Sequence, residues 1–136
     1  MKWRFESSDA CRAYHAREDL LHYLAGRADG ASDFEAAETV FGELVANVVR
    51  HAPGPISIEL YWDRETAVLR VRDAGPGFEW NGNVSLPDDM AECGRGLFIV
   101  NTVARTLQIR CLPSGGTEVT AWLPVSLNRH LEDGAI

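Results

Sequence analysis

Four short groups of residues in this chain combine the side chains and spacing that chemistry on a charged ligand requires. Glu43 and Asn47 stand four positions apart, one helical turn, and so share a face. A carboxylate there can orient or deprotonate a nucleophile, and a carboxamide oxygen is a hard ligand suited to Mg²⁺. Asp73-Ala74-Gly75-Pro76-Gly77 sets an acid ahead of two glycines. If that acid points inward it needs a partner, because burying it unpaired is costly. An adenine amino group is one such donor, and the glycines let a ring approach the backbone. Gly94-Arg95-Gly96-Leu97 precedes a helical pattern, where free amides and the positive end of the helix dipole form an anion site that Arg95 can reinforce. Gly115-Gly116-Thr117 is the fourth group. Taken singly, each has a plainer reading: a solvated helix face, a strand ending in a turn, a helix start, a hairpin.

The elements that must position these groups follow from periodicity. Lys2 to Glu6 reads as a short edge strand, followed by a Ser7-Ser8-Asp9 cap and a helix to about Ala25 with Leu20, Leu21 and Leu24 as its apolar stripe. After the Gly26 to Ala31 break, Ser32-x-x-Glu35 has the form of a capping box opening a second helix that runs to about His51. On that helix Phe34, Ala37, Phe41, Leu44, Val45 and Val48 oppose a stripe of Glu43, Asn47, Arg50 and His51. Ile56, Ile58, Leu60 and Trp62 alternate with polar residues as a half-buried strand, and Asp63 to Thr66 turns the chain back. Ala67, Leu69 and Val71 share the inner face of the next strand, and the period of two carries Asp73 onto it. Ala74 to Gly94 is a long segment rich in Gly, Pro, Asn and Asp, of a length that is usually functional or disordered. Gly96 to about Arg105 reads as a helix, Leu107 to Cys111 and Thr117 to Leu123 as strands, and Pro124 onward as a polar tail. The order β-α-α-β-β-loop-α-β-β implies an α+β two-layer sandwich, with helices on one face of a mixed, mainly antiparallel sheet. Residues 1–125 would form this domain and 126–136 the tail.

The 136 residues suit a single domain, and no apolar run approaches the ~20 residues that span a bilayer. Thirteen Lys and Arg against 20 Asp and Glu leave a net charge of −7, which disfavours nucleic acid and anionic membranes as partners. Lys2 is the sole lysine, so a P-loop, a Schiff base or a kinase-type strand lysine is excluded. Any phosphate chemistry must use backbone amides, arginine or a metal. Cys11, Cys93 and Cys111 are widely spaced without a C-x-x-C pair, and the four histidines lack zinc-ligand spacing. With no signal-peptide pattern at the N-terminus, reduced cysteines in a cytoplasmic protein are expected.

In order and spacing the four groups resemble the motif boxes of the GHKL, or Bergerat-fold, ATP-binding superfamily: E-x-x-x-N, D-x-G-x-G, G-x-G-L and G-G-T. The resemblance covers the chain from Lys2 to Pro124. The runs Gly42 to Ala52 and Glu92 to Leu97, with the short lid and the strand and helix ahead of Glu43, resemble the bacterial anti-sigma factor serine/threonine kinases. Gyrase-type and chaperone-type members need domains beyond 136 residues, and a sensor kinase would need a phospho-acceptor helix ahead of the ATP domain.

The resemblance implies ATP and Mg²⁺ as cofactors. It makes Glu43 the general base toward a protein hydroxyl, Asn47 the Mg²⁺ ligand and Asp73 the acceptor of the adenine amino group. Gly75 and Gly77 would line the base pocket, with Thr117 supporting Asp73. Gly94, Arg95, Gly96 and Leu97 would close a lid over the phosphates. Arg50 and His51 suit a phosphate role or a helix C-terminus equally. Trp80 in the lid has no assigned role, and Cys93 departs from the small or polar residue expected there. The implied partners are an anti-anti-sigma (STAS-type) protein, a sigma factor and a second copy of the chain. Two alternatives share the fold: a switch-type kinase that activates a phosphatase, and a nucleotide-binding or purely protein-binding module without kinase activity.

Overall fold

The computed structural model describes residues 1–51, 54–74, 98–113 and 115–128. Within them lie strand β1 (Lys2–Glu6), helices α1 (Ala10–Arg27) and α2 (Phe34–His51), and strands β2 (Pro55–Asp63), β3 (Thr66–Asp73), β4 (Thr106–Cys111) and β5 (Thr117–Ser126). A further short helical stretch occupies residues 98–103. The strands form one sheet in the order β1-β2-β3-β5-β4, and every pairing in it is antiparallel. This is the expected α+β sandwich, with the sheet antiparallel throughout the described residues.

The alternation that marks the strands decides which face is covered. Ile56, Ile58 and Leu60 of β2, Leu69 and Val71 of β3, and Ala121, Leu123 and Val125 of β5 are buried in one core with Leu20 and Leu24 of α1 and Phe41, Leu44 and Val48 of α2. Val100 of the short helix closes the same core. Ala16, Leu20 and Leu24 recur every four residues, which confines the buried stripe of α1 to one side. Helix α1 packs on α2 and β1, while α2 lies over β3 and β5. Two indoles tie the sheet to α1: Trp62 Nε1–H donates to Tyr23 Oη at 3.0 Å, and Trp3 Nε1–H to Asp19 at 3.4 Å.

Three boundaries differ from the expectation, each for a local reason. The side chain of Asp33, not Ser32, accepts the amide of Ala36 at 2.9 Å, so α2 is capped one residue later and no Ser32/Glu35 capping box forms. Ser32 is instead drawn to β5, where its hydroxyl accepts the Ser126 amide at 2.9 Å and donates to Asp29. Helix α1 runs two residues past Ala25 because the Ala28 amide still bonds the Leu24 carbonyl at 2.7 Å. Strand β5 continues through Pro124 to Ser126, so Val125, placed in the tail by its neighbours' polarity, is fully buried. Residues 129–136 lie outside the described residues.

Candidate active site

Helix α2 is fixed at both ends, and this decides where its polar stripe falls. At its start the Asp33 amide bonds the Pro124 carbonyl at 3.0 Å, near the end of β5. The segment after its C-terminus returns to β1: the Gly54 amide donates to Ser7 Oγ at 2.9 Å, and the Ser7 amide to the Gly54 carbonyl at 2.8 Å. Asn47 lies roughly 20 Å along the helix from its start, at about 1.5 Å per residue. Over that distance β5, at about 3.3 Å per residue, runs back from Pro124 to the neighbourhood of Glu118. The second half of α2 therefore overlies the end of the sheet where β5 begins.

At that same end β3 finishes and β2 starts, with Asp73 opposite Ile56. Asp73 is half-buried and follows Val71 on the helix-facing side, as the period of two requires. Across from it, Arg72 pairs with Glu118, which brings the first residues of β5 beside the last of β3. Gly116 sits against this junction with φ +93°, and a Cβ on it would lie 2.0 Å from the Asp73 carbonyl oxygen. Only a residue without a side chain fits there. The approach is backbone to backbone and draws Thr117 beside the acid.

Thr117 is 2% exposed, and its Oγ1 has no hydrogen-bond partner among the described residues. A buried hydroxyl left without a partner costs about 1–3 kcal/mol, so such an atom points to a ligand or an ordered water. Asn47 is 6% exposed although its helical stripe reads as a wet face, so its carboxamide belongs to the interior. Glu43, one turn earlier, is half-buried and borders a shallow depression with Arg17, Glu38 and Thr39, between α1 and α2. Arg50 is exposed and lines an apolar groove between the same helices with Tyr14 and Val49.

Of the residues expected at the site, Asp73 and Thr117 are thus brought to one end of the sheet, with Asn47 above it. Glu43 stands one turn before Asn47 on the same face of α2 and is half-buried. Gly75, Gly77, Trp80, Cys93, Gly94, Arg95, Gly96 and Leu97 lie outside the described residues, as does the side chain of His51. No group of three or more His, Cys, Asp or Glu side chains with metal-ligand geometry occurs among the described residues. Asn47 carries a carboxamide oxygen, a hard donor of the kind that suits Mg²⁺. Gly116 belongs to the G-G-T group picked out in the sequence, which gives it no role of its own; the structure supplies one, its close approach to the Asp73 carbonyl. Its signal is the paired glycine directly before Thr117.

These features agree with comparisons to known proteins. Residues 7–122 match the family model described as the histidine kinase-like ATPase domain. No curated protein matches the chain by sequence. Among solved structures the fold is similar to that of the Acinetobacter baumannii histidine kinase AdeS, at TM-score 0.56 and 17% identity, covering 94% of this chain and 68% of that one. The family match over most of its length, on a fold that sets helix α2 above the Asp73 end of the sheet, makes this chain a member of the histidine kinase-like ATPase family of the GHKL superfamily.

Proposed function

We propose that this protein binds ATP with Mg²⁺ at the Asp73 end of the sheet and transfers phosphate to a serine or threonine of a small anti-anti-sigma (STAS-type) partner in the cytoplasm, also holding a sigma factor. The observation that carries the nucleotide reading is the buried, unpartnered Thr117 Oγ1 beside Asp73, with Gly116 holding the two strands in contact. The serine/threonine reading rests on the runs Gly42 to Ala52 and Glu92 to Leu97 and their likeness to anti-sigma factor kinases.

In this reading the residues divide the work by position. Asp73 accepts a hydrogen bond from an exocyclic amine, and Thr117 offers its free hydroxyl to the same ring edge or to a water beside it. Asn47 supplies one oxygen to the cation. Bound Mg-ATP supplies the phosphoryl group and the charge neutralisation that phosphoryl transfer chiefly needs. Glu43, one turn from Asn47 on the same helix face, orients the acceptor hydroxyl and takes its proton. Positioning rather than covalent chemistry is the protein's contribution.

The test is incubation of the chain with Mg-ATP and a candidate STAS-type partner, read by mass spectrometry for phosphoserine or phosphothreonine. Transfer that vanishes in Glu43→Gln while nucleotide affinity stays within a few-fold supports the assignment. Loss of nucleotide affinity in that variant contradicts the role given to Glu43. A pull-down that recovers a phosphatase instead of a sigma factor replaces the anti-sigma reading with the switch-type one.

A further inference from the structure

The face of the sheet turned away from the helices carries a charge balance opposite to that of the molecule. The chain has a net charge of −7, yet a groove of about 300 Å³ across β1, β2 and β3 is lined by Lys2, Arg4, Arg70 and Arg72, with Glu59 as the one acid in its wall. The carboxylates on hand are already shared. Glu59 serves both Lys2, at 3.5 Å, and Arg70, at 3.4 Å, while Glu118 serves Arg70, Arg72 and Arg110. Arg4 has no ion pair among the described residues. The groove therefore has cations in excess, and Lys2 and Arg4 stand at its exposed rim.

The same rim is a sheet edge. Strand β1 is outermost in the order β1-β2-β3-β5-β4. The Met1 amino group donates to the Leu60 carbonyl at 2.9 Å, the Leu60 amide to the Met1 carbonyl at 2.8 Å, and the Ser7 amide to the Gly54 carbonyl at 2.8 Å. Antiparallel ladders alternate, so the odd residues turn their backbone groups toward β2, and Lys2 and Arg4 turn theirs off the edge. Lys2 and Arg4, which offer unpaired amides and carbonyls, thus also put positive charge on the open face, with Glu6 adding one carboxylate at the far end of the strand. An exposed edge of this kind is a template for pairing with an added strand.

We propose that an extended acidic segment of a partner protein pairs with the free edge of β1, its alternate carboxylates facing Lys2, Arg4 and the groove beside them. Backbone hydrogen bonds would supply affinity, and the charge pattern would select an acidic strand over a basic or neutral one. A second copy of the chain is a poorer occupant, because it brings a further net charge of −7 and presents the same cations along its own edge.

The experiment uses the full chain without nucleotide, so its failure leaves the ATP reading untouched. A fluorescein-labelled nine-residue peptide of alternating Glu and Thr is titrated at low salt and followed by anisotropy. Two control peptides accompany it: one with Lys in place of Glu, and one N-methylated at alternate backbone nitrogens. The proposal expects saturable binding of the acidic peptide, weakened about tenfold by Lys2→Glu with Arg4→Glu and by high salt. It expects no binding of the Lys peptide and loss of binding on N-methylation. Equal binding of the N-methylated peptide, unchanged affinity in the double variant, or sedimentation as a dimer that the double variant dissociates would each overturn it. Both substitutions are at exposed positions, and an unchanged circular dichroism spectrum confirms that the variant is folded.

Discussion

Asp73 and Thr117 meet because the end of β3 and the start of β5 are neighbours, and their contributions are separable by substitution. Asp73→Asn keeps the shape but replaces one acceptor oxygen by a donor, which opposes an incoming amine. We expect it to lower ATP affinity by at least tenfold, as read by calorimetry, whereas Glu43→Gln changes that affinity only a few-fold. Glu118 acts on the opposite face. Burial alone would raise its carboxyl, but the Arg72 hydrogen bond and the charges of Arg72, Arg110 and Arg70 hold it below its ordinary value of 4.5. A carboxylate depressed in the folded state contributes stability that is complete above its unfolded pKa and is lost as pH falls through the folded one. The wild type should therefore lose stability toward urea below about pH 5. Glu118→Gln should be less stable at neutral pH, with a flatter profile in acid. At this scale the sequence offers Glu43, Asn47 and Asp73 as candidates because each is a chemically distinct residue at a motif spacing. Glu118 is not among them, and Gly116 is read only as part of the G-G-T group, since the need for an acid among arginines and for a missing Cβ arises only when β3, β4 and β5 are laid side by side.

The elements show why local rules located the strands and helices but misplaced some of their ends. Ser32 and Asp33 are both competent N-caps, and the choice between them is made by β5, whose Ser126 amide claims the serine hydroxyl. Asp33→Ala should then cost about 1 kcal/mol of stability through the lost cap of α2. Ser32→Ala acts through the β5 contact instead. Strand β5 outran its expected end because Pro124 is commonly a breaker, and here Val125 beyond it is drawn into the core. Gly116→Ala tests the packing that sets the site. With φ +93° and the Asp73 carbonyl in the way, the added methyl should destabilise the fold by at least about 2 kcal/mol in denaturant titration. The same change should weaken nucleotide binding by displacing Asp73.

The whole molecule places two differently charged surfaces on a small acidic domain. A chain with one lysine and a net charge of −7 is ill suited to a polyanion, yet a single triphosphate needs only an ion, backbone amides and fixed arginine charge. The absence of any lysine besides Lys2 excludes several phosphate sites while leaving the GHKL arrangement open. None of the helices in the described residues is long and apolar enough to cross a membrane. Composition and periodicity thus made the layer architecture legible, whereas the cationic groove on the open face appears only once β1, β2 and β3 are in register. If the site binds nucleotide, ligand at 100 times Kd should stabilise the domain by about 2.7 kcal/mol. That corresponds to a rise in melting temperature on the order of 10 °C. The central claim, nucleotide recognition through Asp73, is tested most directly by calorimetry of Mg-ATP binding to the wild type and to Asp73→Asn. The account predicts saturable heat for the wild type and its near-complete loss in the variant; no heat with the wild type, or equal heat with both, would contradict it.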